Sequence, residues 1–374
     1  MIGSSLLANE PSIHRIGVSN AGDCQAVRVD DAYLLHTAQL LPTVDINDAK
    51  AQTLNLLEQL DAILEPIKSA PSDVVKLNVY VNNIDAQKEF AAQLRRWSPN
   101  ATPAVAYVVS KLPNKSALVA CDAVAVARQV KDIPVKSDRE PMQTAILPPG
   151  DVLYVSGQAE AGSLAEATAA TLTSLDRTLN HHQLSKDYIA QVKCFLQPMA
   201  QAKIVNREIA KFFGDMPIPP VVHVEWISGS RPIEIEVLAW APRSKTKSSV
   251  SYSTPPWMKS SPVFSRVARI HGDQRIYISG LYSKATGDGS AQVESIFEQL
   301  KAILSDAGSD LRHMAKATYY VSDNDPSTAL NRLRPKFYDP NRPPAASKAK
   351  VHGVAMSGRG ISIDMIAAPT SKTP

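Results

Sequence analysis

Apolar residues recur at helical spacing in three places along the chain: Leu57, Leu60 and Leu64, then Leu172, Leu175 and Leu179, then Phe297, Leu300 and Leu304. Each set predicts an amphipathic helix that buries one face. Each helix follows a short apolar run that breaks at small or polar residues: LLHTAQL (34–40), LYVSGQA (153–159) and IYISGLY (276–282). The runs read as strands ending in a Ser/Thr-Gly/Ala pair. Each helix is followed by a stretch rich in β-branched and aromatic residues: VVKLNVYV (74–81), QVKCFLQP (191–198) and MAKATYYV (314–321). A second helix then ends near Trp97, Phe212–Phe213 or Phe337–Tyr338, with Pro103, Pro217 and Pro340 as stops. Two closing strands complete each unit.

The same blocks in the same order, repeated roughly every 120 residues, mark an internal triplication. LEQLDAIL (57–64) returns as FEQLKAIL (297–304), with the weaker LDRTLNHH at 175–182 between them. The expected architecture is α+β: three tandem units, each a mixed sheet with two helices on one face. Their boundaries are 1–130, 131–245 and 246–374. The joining segments, QVKDIPVKSDREP (129–141) and RSKTKSSVSYSTPPWMKSSP (243–262), are polar and aperiodic and read as linkers.

Composition narrows the function classes. A hydrophobic content of 44% and a net charge of +4 with scattered Lys and Arg describe a globular chain and argue against nucleic acid as partner. Cys24, Cys121 and Cys194 are too few and too scattered for a disulfide framework or a zinc site. A reducing, cytoplasmic home is expected. No leader or membrane-spanning run is apparent, His181–His182 lacks a third spaced ligand for a metal, and no glycine pattern for a nucleotide appears. No cofactor is expected.

The stretches CQAVRV (24–29), VSGQ (155–158), VVKLNVYV, VNREIAKFF (205–213) and IEIEVLA (233–239) resemble the Rid family, YjgF-like proteins also described as L-PSP endoribonucleases. The resemblance covers nearly the whole chain, three times over, and is strongest in the second copy. It implies three chorismate-mutase-like domains. Family members with one domain form homotrimers around a central barrel, with ligand sites in the clefts between subunits. One chain with three copies is therefore expected to act as a monomer, an intramolecular pseudo-trimer with inter-domain clefts for a small molecule.

The family's imine deaminases clamp a carboxylate with an arginine at the start of the penultimate strand. The matching positions here are Val105, Val221 and Ala346, so the clamp is expected to be missing in every copy. A cysteine two residues later is matched by Tyr107, His223 and Lys348, and a helix asparagine by Asn206 and Asn331, with Phe90 in the first copy. The family's glutamate of the last strand is matched by Ala120, Glu234 and Ser362, and its tyrosine near the first strand by Asp23 in copy 1.

Strand alternation places Glu234 and Glu236 on one face, opposite Ile233, Ile235 and Val237. Glu234 and His223 are the candidate proton-transfer groups. If they shared a cleft, the carboxylate would favour the protonated histidine and the pair could move a proton near neutral pH; otherwise His223 is a core histidine. Glu236 recurs as Asp122 and Asp364, which suggests a repeated structural role such as accepting backbone N–H bonds. The leading expectation is a divergent Rid-like protein that binds a small metabolite. The alternatives are an imine deaminase or hydrolase of altered substrate, an endoribonuclease, and a scaffold whose clefts have closed.

Overall fold

The computed structural model describes residues 11–100, 102–130, 141–227, 229–284 and 286–370. Most of the first expected linker, and the start of the chain, lie outside these residues. Copy 1 contains β1 (Ser12–Ile16), β2 (Ala26–Asp30), β3 (Tyr33–Thr37), α1 (Ala49–Leu64), β4 (Val74–Val81), α2 (Ile84–Trp97), β5 (Ala104–Val109) and β6 (Val119–Ala127). Copy 2 contains β7 (Thr144–Leu147), β8 (Asp151–Gln158), α3 (Leu164–His181), β9 (Ile189–Leu196), α4 (Ala202–Phe213), β10 (Val221–Glu225) and β11 (Ile233–Ala241). Copy 3 contains β12 (Val250–Ser253), β13 (Val267–Ile270), β14 (Arg275–Ile278), α5 (Gly289–Asp306), β15 (Met314–Val321), α6 (Asn324–Leu333), β16 (Ala345–Lys350) and β17 (Ile361–Ala367).

The first helix of each copy starts at a side-chain cap, from Asp48, Ser163 or Asp288, which satisfies an N–H that the helix leaves open. Its apolar stripe, Leu57, Leu60 and Leu64 in α1, is buried against the sheet. Each fully buried leucine contributes about 1.5–3 kcal/mol. The last helix is shorter than its sequence suggests. It stops at Leu333 and passes into one 3-10 turn over Arg334–Lys336, because Pro335 has no N–H to continue the ladder.

The strands form three sheets, in the orders β1-β2-β14-β17-β15-β16, β10-β9-β11-β8-β13-β12 and β5-β4-β6-β3-β7. Each sheet takes strands from two copies. The opening strand β7 of copy 2 pairs with β3 of copy 1, β13 of copy 3 with β8 of copy 2, and β2 of copy 1 with β14 of copy 3. The exchange therefore runs round all three copies, which is compatible with an intramolecular pseudo-trimer. The expected central barrel is not a closed one. Where one sheet's edge strand meets the chain bordering the neighbouring sheet, the ladder gives way to isolated bridges such as Val109↔Gly353 and Ser265↔Ala345. A shared apolar core still joins the copies, with Val27 and Leu34, Val152 and Leu238, and Ala268 and Ile270 among its members.

Three polar layers sit beside this core. His36, Tyr154 and Tyr277 occupy equivalent rungs, paired with Val124, Leu238 and Ile366. Asp122, Glu236 and Asp364 lie two residues earlier on the same strands, and Lys76, Lys193 and Lys316 lie on the neighbouring ones. All nine line one small cavity of about 40 Å3, room for a few waters. Lys76 Nζ is 2.5 Å from Asp364 Oδ1 and Lys316 Nζ is 2.6 Å from Glu236 Oε1, so each pair joins two copies. The third pair is opened. Lys193 donates to the Tyr320 hydroxyl at 3.0 Å, while Asp122 accepts from Tyr80 at 2.6 Å and Asn78 at 2.8 Å. The recurring acids thus have a repeated structural role, but their partners are lysine, tyrosine, asparagine and serine side chains rather than backbone N–H groups.

Candidate functional site

Three equivalent seams form where the edge strand of one copy meets the end of a strand in the preceding copy. At the seam between copies 1 and 2, the Gln39 N–H donates to the Val221 carbonyl at 3.0 Å. At the seam between copies 3 and 1, the Gly280 N–H donates to the Val105 carbonyl at 2.8 Å. At the seam between copies 2 and 3, the Ala346 N–H donates to Ser156 Oγ at 2.9 Å. The bridges Leu40↔Cys121 and Leu281↔Ile363, with Gln158 opposite Ile235, fix the equivalences. Gln39, Gly157 and Gly280 are one position. The repeat blocks read from sequence are therefore out of step by one residue in copy 1, where the small-residue pair is replaced by Ala38–Gln39.

That replacement fills the seam between copies 1 and 2. Gln39 Nε2 donates to the His223 carbonyl at 2.9 Å. His223 pairs in register with Cys194, which pairs with Ile235, so its ring lies on the helix-facing side of the sheet with the apolar core of copy 2. It is 6% exposed, its Nε2 has no partner, and burial pushes its pKa down to about 4. It is neutral at pH 7. The Asn206 Oδ1 of α4 is likewise buried and unpartnered.

The seam between copies 3 and 1 is closed. Val105 N–H donates to Ser279 Oγ at 3.1 Å, and the Tyr282 hydroxyl donates to the Tyr107 carbonyl at 3.3 Å. A Cβ on Gly280 would stand 3.1 Å from the Cα of Ala106, so glycine is what lets the two backbones approach. Phe90 meets Tyr107 edge-on at 6.4 Å. Arg95 grips Asp23 through Nε at 3.0 Å and Nη2 at 2.6 Å.

The seam between copies 2 and 3 holds the acid. Glu234, on β11, pairs with Phe195 on the face opposite Ile233 and Ile235. His223 and Glu234 therefore lie on opposite faces of their sheet and in different seams. A Cβ at Gly157 would overlap the Glu234 carboxyl, so the glycine provides its space. Glu234 is partly buried, and its pKa is raised to about 7. Burial is the main cause and Glu236 adds to it; the Ser347 hydroxyl and Arg266 act the other way. Ser347 Oγ stands 2.8 Å from Glu236 Oε2, so one hydroxyl from copy 3 serves this acidic pair of copy 2.

On the other face of β16, Lys348 Nζ donates to Asn331 Oδ1 at 3.1 Å and to Ser327 Oγ at 3.3 Å. Arg334 also reaches Asn331, at 3.4 Å. Burial lowers the Lys348 pKa, with Arg334 adding to the effect. Of the residues singled out from sequence, the structure brings together Lys348 with Asn331, and Val105 with Tyr107 beside Phe90. Arg266, Ser347 and Gly157 were not singled out from the sequence as site residues. Gly157 lies inside the VSGQ block, and its partner Glu234 is the signal that marks it.

This sheet-and-helix unit with its seams defines the class. A family model, Endoribonuclease L-PSP, matches residues 35–127, 140–241 and 258–369, and the chain belongs to that family, three copies over. Protein DfrA of Myxococcus xanthus is 25% identical over 111 residues, 28% of this chain and 83% of that protein. Among solved structures, a YjgF-family protein of Neisseria meningitidis aligns at 19% identity over 34% of this chain and all of its own, with a TM-score of 0.26. The Rid-family protein YyfB of Yersinia pestis aligns at 23% identity over 31% of this chain and 98% of its own, with a TM-score of 0.27. Among the described residues, no helix is long and apolar enough to cross a membrane.

Proposed function

We propose that this chain is a divergent Rid-like protein that binds a small metabolite at the seam between copies 2 and 3, working as a single-chain pseudo-trimer. The observation that carries this reading is Glu234. Its carboxyl sits over Gly157 at the meeting of two copies, with a pKa near 7. The other two seams offer Ala120 and Ser362 at that station, which can neither take nor give a proton near neutrality. Val105, Val221 and Ala346 occupy the clamp position, so a 2-imino acid lacks its bidentate partner there. Loss of such a clamp costs about 2–5 kcal/mol, a drop of roughly 30-fold or more in kcat/KM.

The same carboxyl favours a second reading, a deaminase or hydrolase with an altered substrate. A group that titrates near 7 can accept a proton from water and return it to a leaving group. Assaying the full chain and Glu234→Gln with a panel of 2-imino acids and other small imines separates the two. Weak or no turnover with a ligand-induced rise in melting temperature, lost in Glu234→Gln, supports binding. A saturable rate abolished by Glu234→Gln supports the enzyme. A deaminase rate equal to that of clamp-bearing family members, unchanged by Glu234→Gln, removes both readings.

A further inference from the structure

Away from the seams, β13 and β12 extend the sheet of copy 2, and a Ser–His–Asp constellation forms where they meet β8. His271 Nδ1 is 2.8 Å from Asp151 Oδ2, and His271 Nε2 is 2.8 Å from Ser251 Oγ. Asp151 is fully buried. It accepts from the Gly272 N–H at 2.9 Å, the Ser244 N–H at 3.1 Å and Arg269 Nε at 2.9 Å. Burial opposes its ionisation, but these donors and His271 outweigh it and hold the carboxyl well below the ordinary range.

An ionised Asp151 selects the tautomer of His271. A lone pair on Nδ1 would face the carboxylate, so the proton resides on Nδ1 and Nε2 is left to accept. The Ser251 hydroxyl then donates to Nε2. Ser244 Oγ, also 2.8 Å from Nδ1, shares the same N–H. Ser251 is exposed, so its oxygen can reach a dissolved reagent.

The backbone adds a donor for developing negative charge. β12 is the outer strand of its sheet. The His271 N–H donates to the Ser249 carbonyl at 2.8 Å, and Ser251 lies opposite Arg269. Bonded pairs alternate along an antiparallel ladder, so Ser251 turns its N–H inward and the next residue, Tyr252, turns its N–H off the free edge. An N–H from the residue after the nucleophile is a usual component of an oxyanion hole.

We propose that Ser251 is an activated nucleophile that takes short acyl groups from small activated esters and passes them to water. Ser251 Oγ bonds to the acyl carbon as its proton moves to His271 Nε2, and the carbonyl oxygen becomes an oxyanion beside the Tyr252 N–H. Collapse breaks the ester C–O bond, and the departing alkoxide takes the proton from His271. Water then attacks the acyl-serine by the same route, releasing a carboxylic acid and restoring Ser251. Ser251 is exposed on an outer strand, a setting that suits short acyl chains.

The test uses the full chain with p-nitrophenyl acetate and, separately, an alkyl fluorophosphonate, read by intact mass and peptide mapping. One adduct on Ser251 is expected, absent in Ser251→Ala and formed about a hundredfold more slowly in His271→Gln. Thermal melts of both variants confirm folding; Ser251 is exposed, so its alanine variant should melt with the wild type. Adducts spread over lysines and other serines, or a Ser251 rate indifferent to His271→Gln, would overturn the proposal.

Discussion

At the seam between copies 3 and 1, Gly280 lets β5 come so close that the Val105 carbonyl accepts from the Gly280 N–H. At the seam between copies 2 and 3, the equivalent Gly157 makes room for a side chain, and that side chain is an acid. One backbone position thus serves closure in one place and a proton-bearing group in the other. The difference comes from what stands opposite: Ser362 in copy 3 and Glu234 in copy 2. A repeated fold holds its shape through backbone contacts common to all copies, while side chains at matching stations diverge. Each of these two seams also has one lysine–acid lock beneath it, Lys76–Asp364 or Lys316–Glu236, so the locks and the seams can be broken separately.

The largest expected effect lies in the locks. Lys76 and Asp364 are nearly inaccessible, at 3% and 9% of side-chain exposure, so Lys76→Met leaves an uncompensated buried carboxylate. The cost should be about 3–5 kcal/mol in denaturant unfolding. Lys316 is 21% exposed, so its ion pair is the more screened of the two, and the Ser347 hydroxyl still donates to the buried Glu236 once the lysine is gone; Lys316→Met should cost roughly half as much. Equal losses would mean that the two locks are not differently buried. Next come the glycines. Gly280→Ala presses a methyl on backbone and should cost about 1–3 kcal/mol. Gly157→Ala meets a side chain that can move, so its melting temperature should change less, while the titration of Glu234 shifts.

A pH series sharpens the same contrast. The folded chain holds Glu234 at about 7 against an ordinary 4.5, so the folded state binds the proton more tightly. The stability from this group is complete below 4.5 and is lost as pH rises to about 7. Glu234→Gln carries no such proton. The wild type should therefore lose about 1–3 kcal/mol relative to the variant across that window. A flat difference would place Glu234 in contact with water.

Much of this was legible in the sequence. The triplication, six helices at their periodic stretches and the facing of Glu234 away from Ile233 and Ile235 follow from spacings of 3.6 and 2, which are local properties. The exchange of opening strands is not local. β2 and β3 are joined by two residues, Asp31 and Ala32, yet enter different sheets, and a two-residue link in sequence reads as a hairpin. The slip at Gln39 hid for a related reason: aligning Thr37–Ala38 with Ser–Gly looks better by residue type than the true match of Ala38–Gln39. His223 could not be assigned a seam without the strand order. The locks had a visible signal, a lysine and an acid recurring in every copy, but pairing them needs the contact between copies.

The smallest effect probes what closes the seam between copies 3 and 1. Arg95 stands on α2, while Asp23 immediately precedes the segment leading into β2, a strand that copy 1 lends to the sheet of copy 3. Their ion pair therefore ties a helix of one copy to a strand housed with another. Both side chains are well exposed, at 41% and 46%, so solvent weakens the attraction and holding two mobile chains together offsets part of it. Arg95→Ala should cost about 0.2–1 kcal/mol in unfolding, and high salt should erase most of that difference. The Tyr107 and Gly280 contacts should stay closed, read as unchanged hydrogen exchange at Val105 and Gly280. If Arg95→Ala instead costs several kcal/mol and exposes those amides, the seam is held by charge rather than by close backbone approach, and glycine is not what separates a closed seam from an open one.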